Sequence, residues 1–189
     1  MKKLCFVLLL ILAFLSPTMG QKETITSEER VLPKDSLPDL WIVTIDMSGS
    51  MKKDGKLPKI PLLFRQIVGR NDCDQAKDRF ILLSSGMTFD ELRSSSRKFA
   101  STYGLRYDGN KDFASILIKG VLMNSTYGDV LNELSMICGD AGRFRYDRSF
   151  ASIARPLSIQ FLTENKHYDF LNYRNVYHIQ ITDNGDTND

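Results

Sequence analysis

The sequence is poor in cysteine and histidine, the residues that build zinc sites and disulfide frameworks. It has three cysteines and two histidines among 189 residues, and no C-x-x-C pair. A structural zinc site needs four such ligands at close spacings, so none is expected. Two cysteines, Cys73 and Cys138, lie beyond the N-terminal segment described below. They either form one disulfide, as an oxidising compartment permits, or remain two buried thiols, and the sequence leaves both alternatives open.

The chain also lacks an excess of charge of either sign. It carries 25 basic and 23 acidic residues, for a formal net charge of +2. Two of the lysines, Lys2 and Lys3, belong to the N-terminal segment, and without them the two signs balance. This balance gives no reason to expect a nucleic-acid partner, and overall charge does not steer the protein toward any other partner.

Residues 1–20 have the arrangement of a secretory signal peptide. The two lysines precede an apolar run over residues 4–15, Pro17 ends that run, and Thr18 and Gly20 supply small residues before a predicted cleavage at Gln21. The run is shorter than the ~20 apolar residues that cross a bilayer, and no later segment is long enough either. We therefore expect an exported protein of the periplasm, the cell envelope or the extracellular space, without a transmembrane span in the mature chain.

After an extended, polar lead-in over residues 21–39, short apolar runs alternate with helical patterns. Strands are predicted at residues 40–45, 79–84 and 176–182. Helices are predicted at residues 57–68 with a start delayed by two prolines, from a capping box at Thr88 and Glu91 toward Tyr103, and at residues 152–163. The apolar stretch at residues 130–138 has no assigned type, and the stretch at 113–123 fits either a helix or a strand.

This alternation predicts an α/β fold, specifically a three-layer α/β/α sandwich with a doubly wound, mainly parallel sheet. The runs Ile42–Ile45 and Ile179–Ile181 should lie on adjacent central strands, because strands this apolar need cover on both faces.

Two of the predicted strands end in acidic loops. The first continues into Asp46-Met47-Ser48-Gly49-Ser50, and the last into Thr182-Asp183-Asn184-Gly185. Ligands of open parallel sheets bind outside the carboxyl ends of the strands, where the strand order reverses. Carboxylates and hydroxyls are hard oxygen donors, which Mg²⁺, Mn²⁺ and Ca²⁺ prefer. The two loops together therefore predict a divalent-metal site.

These two motifs resemble the von Willebrand factor type A (vWA) domain and its metal-ion-dependent adhesion site. The resemblance implies that Asp46, Ser48, Ser50 and Asp183 hold the metal. The family also uses a threonine from a middle loop, which this chain lacks; either Ser149 or Ser152 would replace it. Ser149 is the preferred ligand, because Ser152 is also predicted as the N-cap of the following helix.

The resemblance assigns residues 40–189 to a vWA-like domain. The spacing from Asp46 to Asp183 is longer than the family pattern, which implies an insertion within residues 70–146. The family continues beyond its second acidic loop, so we expect a C-terminally truncated domain with apolar surface exposed beside the last strand. Asp46 is expected to point out of the core, so that Asp46→Ala should abolish metal binding and leave its strand intact.

The function implied is that of a binding or adhesion module. It would engage a protein partner through the metal, with an acidic residue of the partner completing the metal shell. One alternative is a structural envelope protein whose metal site is vestigial. A metal-dependent phosphatase or hydrolase is less favoured, because Ser48 occupies the position where a strand-end phosphatase needs a second aspartate, and a serine nucleophile would lack an activating base.

Overall fold

The computed structural model describes residues 33–95 and 111–183. The predicted signal peptide and most of the lead-in lie outside these residues, as does the extension of the Thr88 helix toward Tyr103. The strands are β1 (Leu40–Asp46), β2 (Arg79–Ser85), β3 (Ile118–Ser125) and β4 (Val176–Ile181). The α-helices are α1 (Ile60–Arg70), α2 (Phe89–Ser95), α3 (Lys111–Leu117), α4 (Tyr127–Gly139) and α5 (Ala151–Gln160).

The four strands form one open sheet in the order β3-β2-β1-β4. Strand β1 runs parallel to both β2 and β4, and β3 runs antiparallel to β2. Val43 of β1 lies opposite Leu82 on one side and Ile179 on the other. The fold is therefore α/β with a mixed sheet in which two of three strand pairings are parallel, and the α/β prediction is confirmed.

Strand β1 is buried along its whole length. Trp41 and Val43 belong to a cluster that also contains apolar residues of α1 and α4. Leu40 and Ile42 belong to a second cluster with residues of α3 and α5. Successive side chains of a strand point to opposite faces, so both faces of β1 are covered. This burial explains an apolar run without polar alternation and confirms the central position predicted for Ile42–Ile45.

The prediction for β4 is only half right. Ile179 and Ile181 do pair with β1, but β4 is the edge strand of the described sheet, so the central position predicted for Ile179–Ile181 is wrong here. Only Ile179 is buried in β4. The physical reason is the strand order, since β4 pairs with β1 on one side alone in the described sheet. Its two faces are both in contact with the protein, because His178 and Gln180 bond to Thr44 and to the Ala151 carbonyl and Ile179 packs in the apolar cluster on the other face.

Helices α1 and α2 begin as local sequence rules predict. Helix α1 starts at Ile60 with Pro61 in its first turn, where a proline is tolerated. At α2 the Thr88 backbone N–H donates to Glu91 Oε2 and the Glu91 N–H to Thr88 Oγ1, at 2.7 and 3.1 Å, which confirms the capping box. The ambiguous stretch at residues 113–123 contains both a helix and a strand, α3 and β3.

At the N-terminal ends of the strands, two buried aspartates fasten β1 to its neighbours. Asp39 accepts hydrogen bonds from Arg174 Nε and Nη2 at 2.9 and 2.7 Å, and this contact holds its pKa below the ordinary value. Asp78 accepts from Trp41 Nε1 at 3.1 Å and from the Asp39 backbone N–H at 3.0 Å. The starts of β1, β2 and β4 are thereby held in register.

The two cysteines that the structure describes are free thiols, which answers the question the sequence left open. Burial raises the pKa of Cys73 to about 12, with Asp78 adding to the shift, and burial raises that of Cys138 to about 11. Both therefore stay protonated at neutral pH.

None of the helices described here combines the length and the hydropathy that crossing a bilayer requires.

A buried polar network joins β1, α5 and β4 beneath the carboxyl edge of the sheet. The Thr44 hydroxyl lies 3.0 Å from both Ser158 Oγ and His178 Nε2. Ser158 donates its proton to the Ala154 carbonyl, so Thr44 donates to Ser158 and His178 Nε2 donates to Thr44. Burial, helped by the charge of Arg155, lowers the pKa of His178 to about 4.

This network predicts a loss of stability at mildly acidic pH. The His178 imidazole takes up a proton near pH 6.5 in the unfolded chain and only near pH 4 in the folded one. The free energy of unfolding should therefore fall as the pH drops from 6.5 to 4. Urea unfolding across this range should show a shallower fall for His178→Gln, which keeps the bond to Thr44. The control His167→Asn, at an exposed histidine, should follow the wild type; identical slopes for His178→Gln and the wild type would contradict the assignment.

Candidate metal centre

The candidate site is built around Asp46, the last residue of β1, whose exposed fraction is 3%. Its Oδ1 accepts the Ser48 backbone N–H at 2.7 Å. Its Oδ2 accepts the hydroxyls of Ser149 at 2.6 Å and Thr182 at 2.9 Å. One carboxylate therefore joins the loops that follow β1, precede α5 and follow β4. The expectation that Asp46 points out of the core is wrong, because its side chain is buried and accepts these three hydrogen bonds. Asp46→Ala would therefore leave three donors without their acceptor.

The second carboxylate of the site belongs to Asp183, whose side chain is 5% exposed. Its Oδ1 accepts the Ser50 hydroxyl at 3.1 Å, and its Oδ2 lies 3.3 Å from Lys56 Nζ. Ser48 Oγ and Ser50 Oγ are 2.9 Å apart. Because the single proton of Ser50 goes to Asp183, Ser48 is the donor in that pair. The predicted residues thus form two hydrogen-bonded groups, Asp46 with Ser149 and Asp183 with Ser48 and Ser50, which the loop after β1 connects.

The loop after β1 is held by backbone pairing with residues 146–148. Gly49 N–H donates to the Tyr146 carbonyl at 3.0 Å, and Tyr146 N–H donates to the Met47 carbonyl at 3.2 Å. Farther along, Met87 N–H donates to the Arg148 carbonyl at 2.8 Å. Residues 146–148 therefore lie between the loops that follow β1 and β2, and they deliver Ser149 to Asp46.

Ser149 and Ser152 have different surroundings. Ser149 is buried, and its carbonyl accepts the Ser85 hydroxyl at 2.8 Å. Phe150 then adopts a left-handed conformation with φ of 51°, and α5 begins at Ala151. The N-cap is therefore Phe150, and the prediction that Ser152 caps the helix is wrong. Ser152 is exposed within the first turn, so the structure brings Ser149 to the site and leaves Ser152 outside it.

The site lies where the strand order reverses. From β1 the chain passes first to β2 on one side, while β4 occupies the other side. Both strands that bring carboxylates, β1 and β4, run parallel and end at the same edge. In open α/β sheets this crevice is the usual position for ligands.

The donor set fits a hard divalent cation that keeps several waters. Two nearly buried carboxylates and the hydroxyls of three serines are the kind of oxygen ligands that Mg²⁺ and Ca²⁺ take. The described residues contain no group of three or more His, Cys, Asp or Glu that could hold a metal. A metal here would therefore depend on hydroxyl and water ligands beside its two carboxylates, which are Asp46 and Asp183.

Sequence reasoning missed two residues of this site. Thr182 stands directly before Asp183, and its position at a strand end was the signal that could have identified it. Lys56 offered no such signal, because Lys52, Lys53 and Lys59 lie in the same segment and only the folded chain shows which lysine meets a carboxylate.

A cleft of about 360 Å³ opens beside residues 47–50, the loop that follows β1 and is called the metal loop below. Its wall includes Met47 of this loop, Tyr146 and Arg145. Arg143 also lines the cleft, but its Nη1 is paired with Glu133 at 3.1 Å. Asp140 lines the cleft as well and lies 3.8 Å from Arg143 Nε, so the lining beside the loop that follows β1 carries charges of both signs.

The chain has no match among family models, curated proteins or solved structures.

Gly86 permits the close approach of Tyr146 that the site requires, and this contact is testable. Its φ is +151°, and a Cβ on it would overlap the Tyr146 side chain, with Tyr146 Cβ and Cγ each only 2.8 Å away. Gly86→Ala should therefore lower the free energy of unfolding by about 1–3 kcal/mol, through strain and displacement of the Tyr146 segment. In Gly69→Ala, where a Cβ meets nothing within 4 Å, helix propensity should leave stability unchanged or raise it by up to ~1 kcal/mol. Urea denaturation of both variants measures the difference, and equal midpoints would refute the close contact.

Proposed function

We propose that this chain is a vWA-like binding module of an exported or envelope-located protein, and that it engages a protein partner through a bound divalent metal. The observation that carries the proposal is the meeting of Asp46, Ser48, Ser50, Ser149 and Asp183 at the reversal point of the sheet. Two of these donors are carboxylates and three are hydroxyls, which are oxygen ligands that suit a hard divalent cation.

The proposed architecture is the three-layer, doubly wound sandwich of the vWA family. Two observations support it. Residues of α1 and α4 share one apolar cluster with β1, and residues of α3 and α5 share the other. The parallel strands β1 and β2 are also connected through α1, and the connection from β2 to β4 contains the other four helices together with the antiparallel β3, as helices connect the strands of a wound α/β sheet.

In the proposed centre, the hydroxyls of Ser48, Ser50 and Ser149 would hold the metal together with Asp46 and Asp183. Mg²⁺ is the first choice, with Mn²⁺ or Ca²⁺ as alternatives. When bound, the cation would supply an electrophilic position for a carboxylate oxygen of the partner. The protein's contribution is to direct its donors to one point from three loops and to shield both carboxylates from water.

The partner is proposed to be a protein that presents an acidic residue. Arg145 in the cleft beside the loop supports this chemistry, because it would favour negative charge around that acidic residue. The other arginine of the cleft, Arg143, is paired with Glu133 and Asp140. The mature chain has no charge excess that would attract anions generally, so recognition would depend on this local arrangement.

A structural role without metal is the second candidate, and one observation favours it. Lys56 Nζ already lies 3.3 Å from Asp183 Oδ2, which partly neutralises the site. For a phosphatase or hydrolase, nothing comparable is present among the described residues, where the hydrogen bond of His178 goes to Thr44 rather than to a serine of the metal loop.

Metal-dependent stability tests the proposal. At 100 times Kd, a metal that binds only the folded state adds about 2.7 kcal/mol, which for a chain of this size raises Tm by roughly 5–10 °C. We expect this rise in the wild type with Mg²⁺ or Mn²⁺ relative to EDTA. Asp183→Asn should lose most of it, while Asp35→Asn, at an exposed aspartate, should keep it. A wild-type Tm that is equal in metal and in EDTA would leave the structural role as the function.

The partner is tested separately by affinity capture from a native envelope extract. The immobilised wild type should retain a protein in Mg²⁺ and release it in EDTA, and Asp183→Asn should retain none. Capture that is indifferent to EDTA and to Asp183→Asn would contradict a metal-mediated contact.

A further inference from the structure

Lys56 places a positive charge directly on one of the two carboxylates of the proposed metal centre. Its Nζ lies 3.3 Å from Asp183 Oδ2, and the side chains are 39% and 5% exposed respectively. The other oxygen of Asp183 accepts the Ser50 hydroxyl. Both oxygens of this nearly buried carboxylate are thus engaged by groups of the chain itself.

The local fold is what brings this lysine to the site. A 3-10 helix over Gly49–Gly55 begins inside the metal loop and ends at Gly55, which has a φ of +60°. Such a φ suits glycine, because it has no Cβ. The chain turns there, and Lys56 returns to the same carboxylate that Ser50 reaches from the start of the helix. The neighbouring Lys59 is exposed and has no salt bridge in the described part of the chain.

The positive charge of Lys56 offsets part of the negative charge that the two carboxylates bring to the site. Asp46 and Asp183 bring two negative charges into one poorly solvated site, and like charges there repel each other. The Lys56 ammonium offsets one of them without any metal. A divalent cation that approaches Asp183 must then displace this ammonium or tolerate it as a neighbouring like charge, and either requirement weakens its binding.

We infer that Lys56 is a tethered counter-ion that competes with the divalent cation for Asp183, and so sets the affinity of the site for metal. The inference rests on the proposed function, because it concerns the same centre. It predicts that the protein keeps a folded site when metal is scarce and loads only at higher metal concentrations than its oxygen donors alone would require.

The test compares Mn²⁺ binding by the wild type, Lys56→Met, Lys56→Arg and the matched control Lys59→Met, using isothermal titration with Tm recorded in EDTA. Lys56→Met should bind Mn²⁺ on the order of tenfold more tightly than the wild type, and its Tm in EDTA should be lower because Asp183 has lost its ion pair. Lys56→Arg keeps the charge and should stay close to the wild-type affinity. Lys59→Met should match the wild type in both measurements.

The outcomes separate this inference from the proposed function. If the wild type and Lys56→Met bind Mn²⁺ equally, the counter-ion role is overturned while the metal site stands. If Lys56→Met binds and the wild type does not, the inference is upheld, and the native site is metal-free. If neither binds, both the inference and the metal-dependent function are refuted. A Lys56→Met that fails to fold in EDTA but folds and binds tightly in Mn²⁺ supports the inference.

Discussion

The candidate site depends on the hydrogen bonds that the buried Asp46 carboxylate accepts. Ser48, Ser149 and Thr182 each donate to it at 2.6 to 2.9 Å, and they come from three separate loops. Hydrogen bonds to an ionised group are stronger than neutral ones, and a buried carboxylate without them would be costly. This single group therefore joins three loops at the carboxyl edge, and Ser50 and Asp183 are connected to it through the loop that Ser48 shares with Asp46.

The opposite edge of the sheet supports that geometry. There Asp39 and Asp78 hold the starts of β1, β2 and β4 through Arg174 and Trp41. With both ends of β1 tied and both its faces covered by apolar clusters, the strand has little freedom to shift. Because Asp46 ends a strand that is held in this way, its carboxylate has a defined position, and sites carried by strands are positioned more precisely than sites carried by loops alone.

The sequence predicts those parts of the fold and of the candidate site that depend on interactions between residues close together in the chain. The apolar run before Asp46 and the Thr88–Glu91 pair predict β1 and the start of α2, since burial and capping act over a few residues. Strand order and contacts between residues that are distant in the chain are harder to predict from the sequence. The edge position of β4 follows from the order of the strands in the sheet, which no local pattern within Val176–Ile181 specifies. Only tertiary structure brings Ser149 to the site and leaves Ser152 exposed, and the ion pair of Lys56 arises from a turn that local patterns do not reveal.

The proposed metal centre is tested most directly by a crystal structure of the protein soaked in Mn²⁺, with anomalous diffraction recorded to locate the ion. We expect one strong anomalous peak at the carboxyl edge, in contact with Asp183 and with the hydroxyls of Ser48 and Ser50, and Lys56 displaced from the 3.3 Å contact that it makes with Asp183 here. An empty edge at saturating Mn²⁺, with the Lys56–Asp183 ion pair intact, would contradict the metal centre.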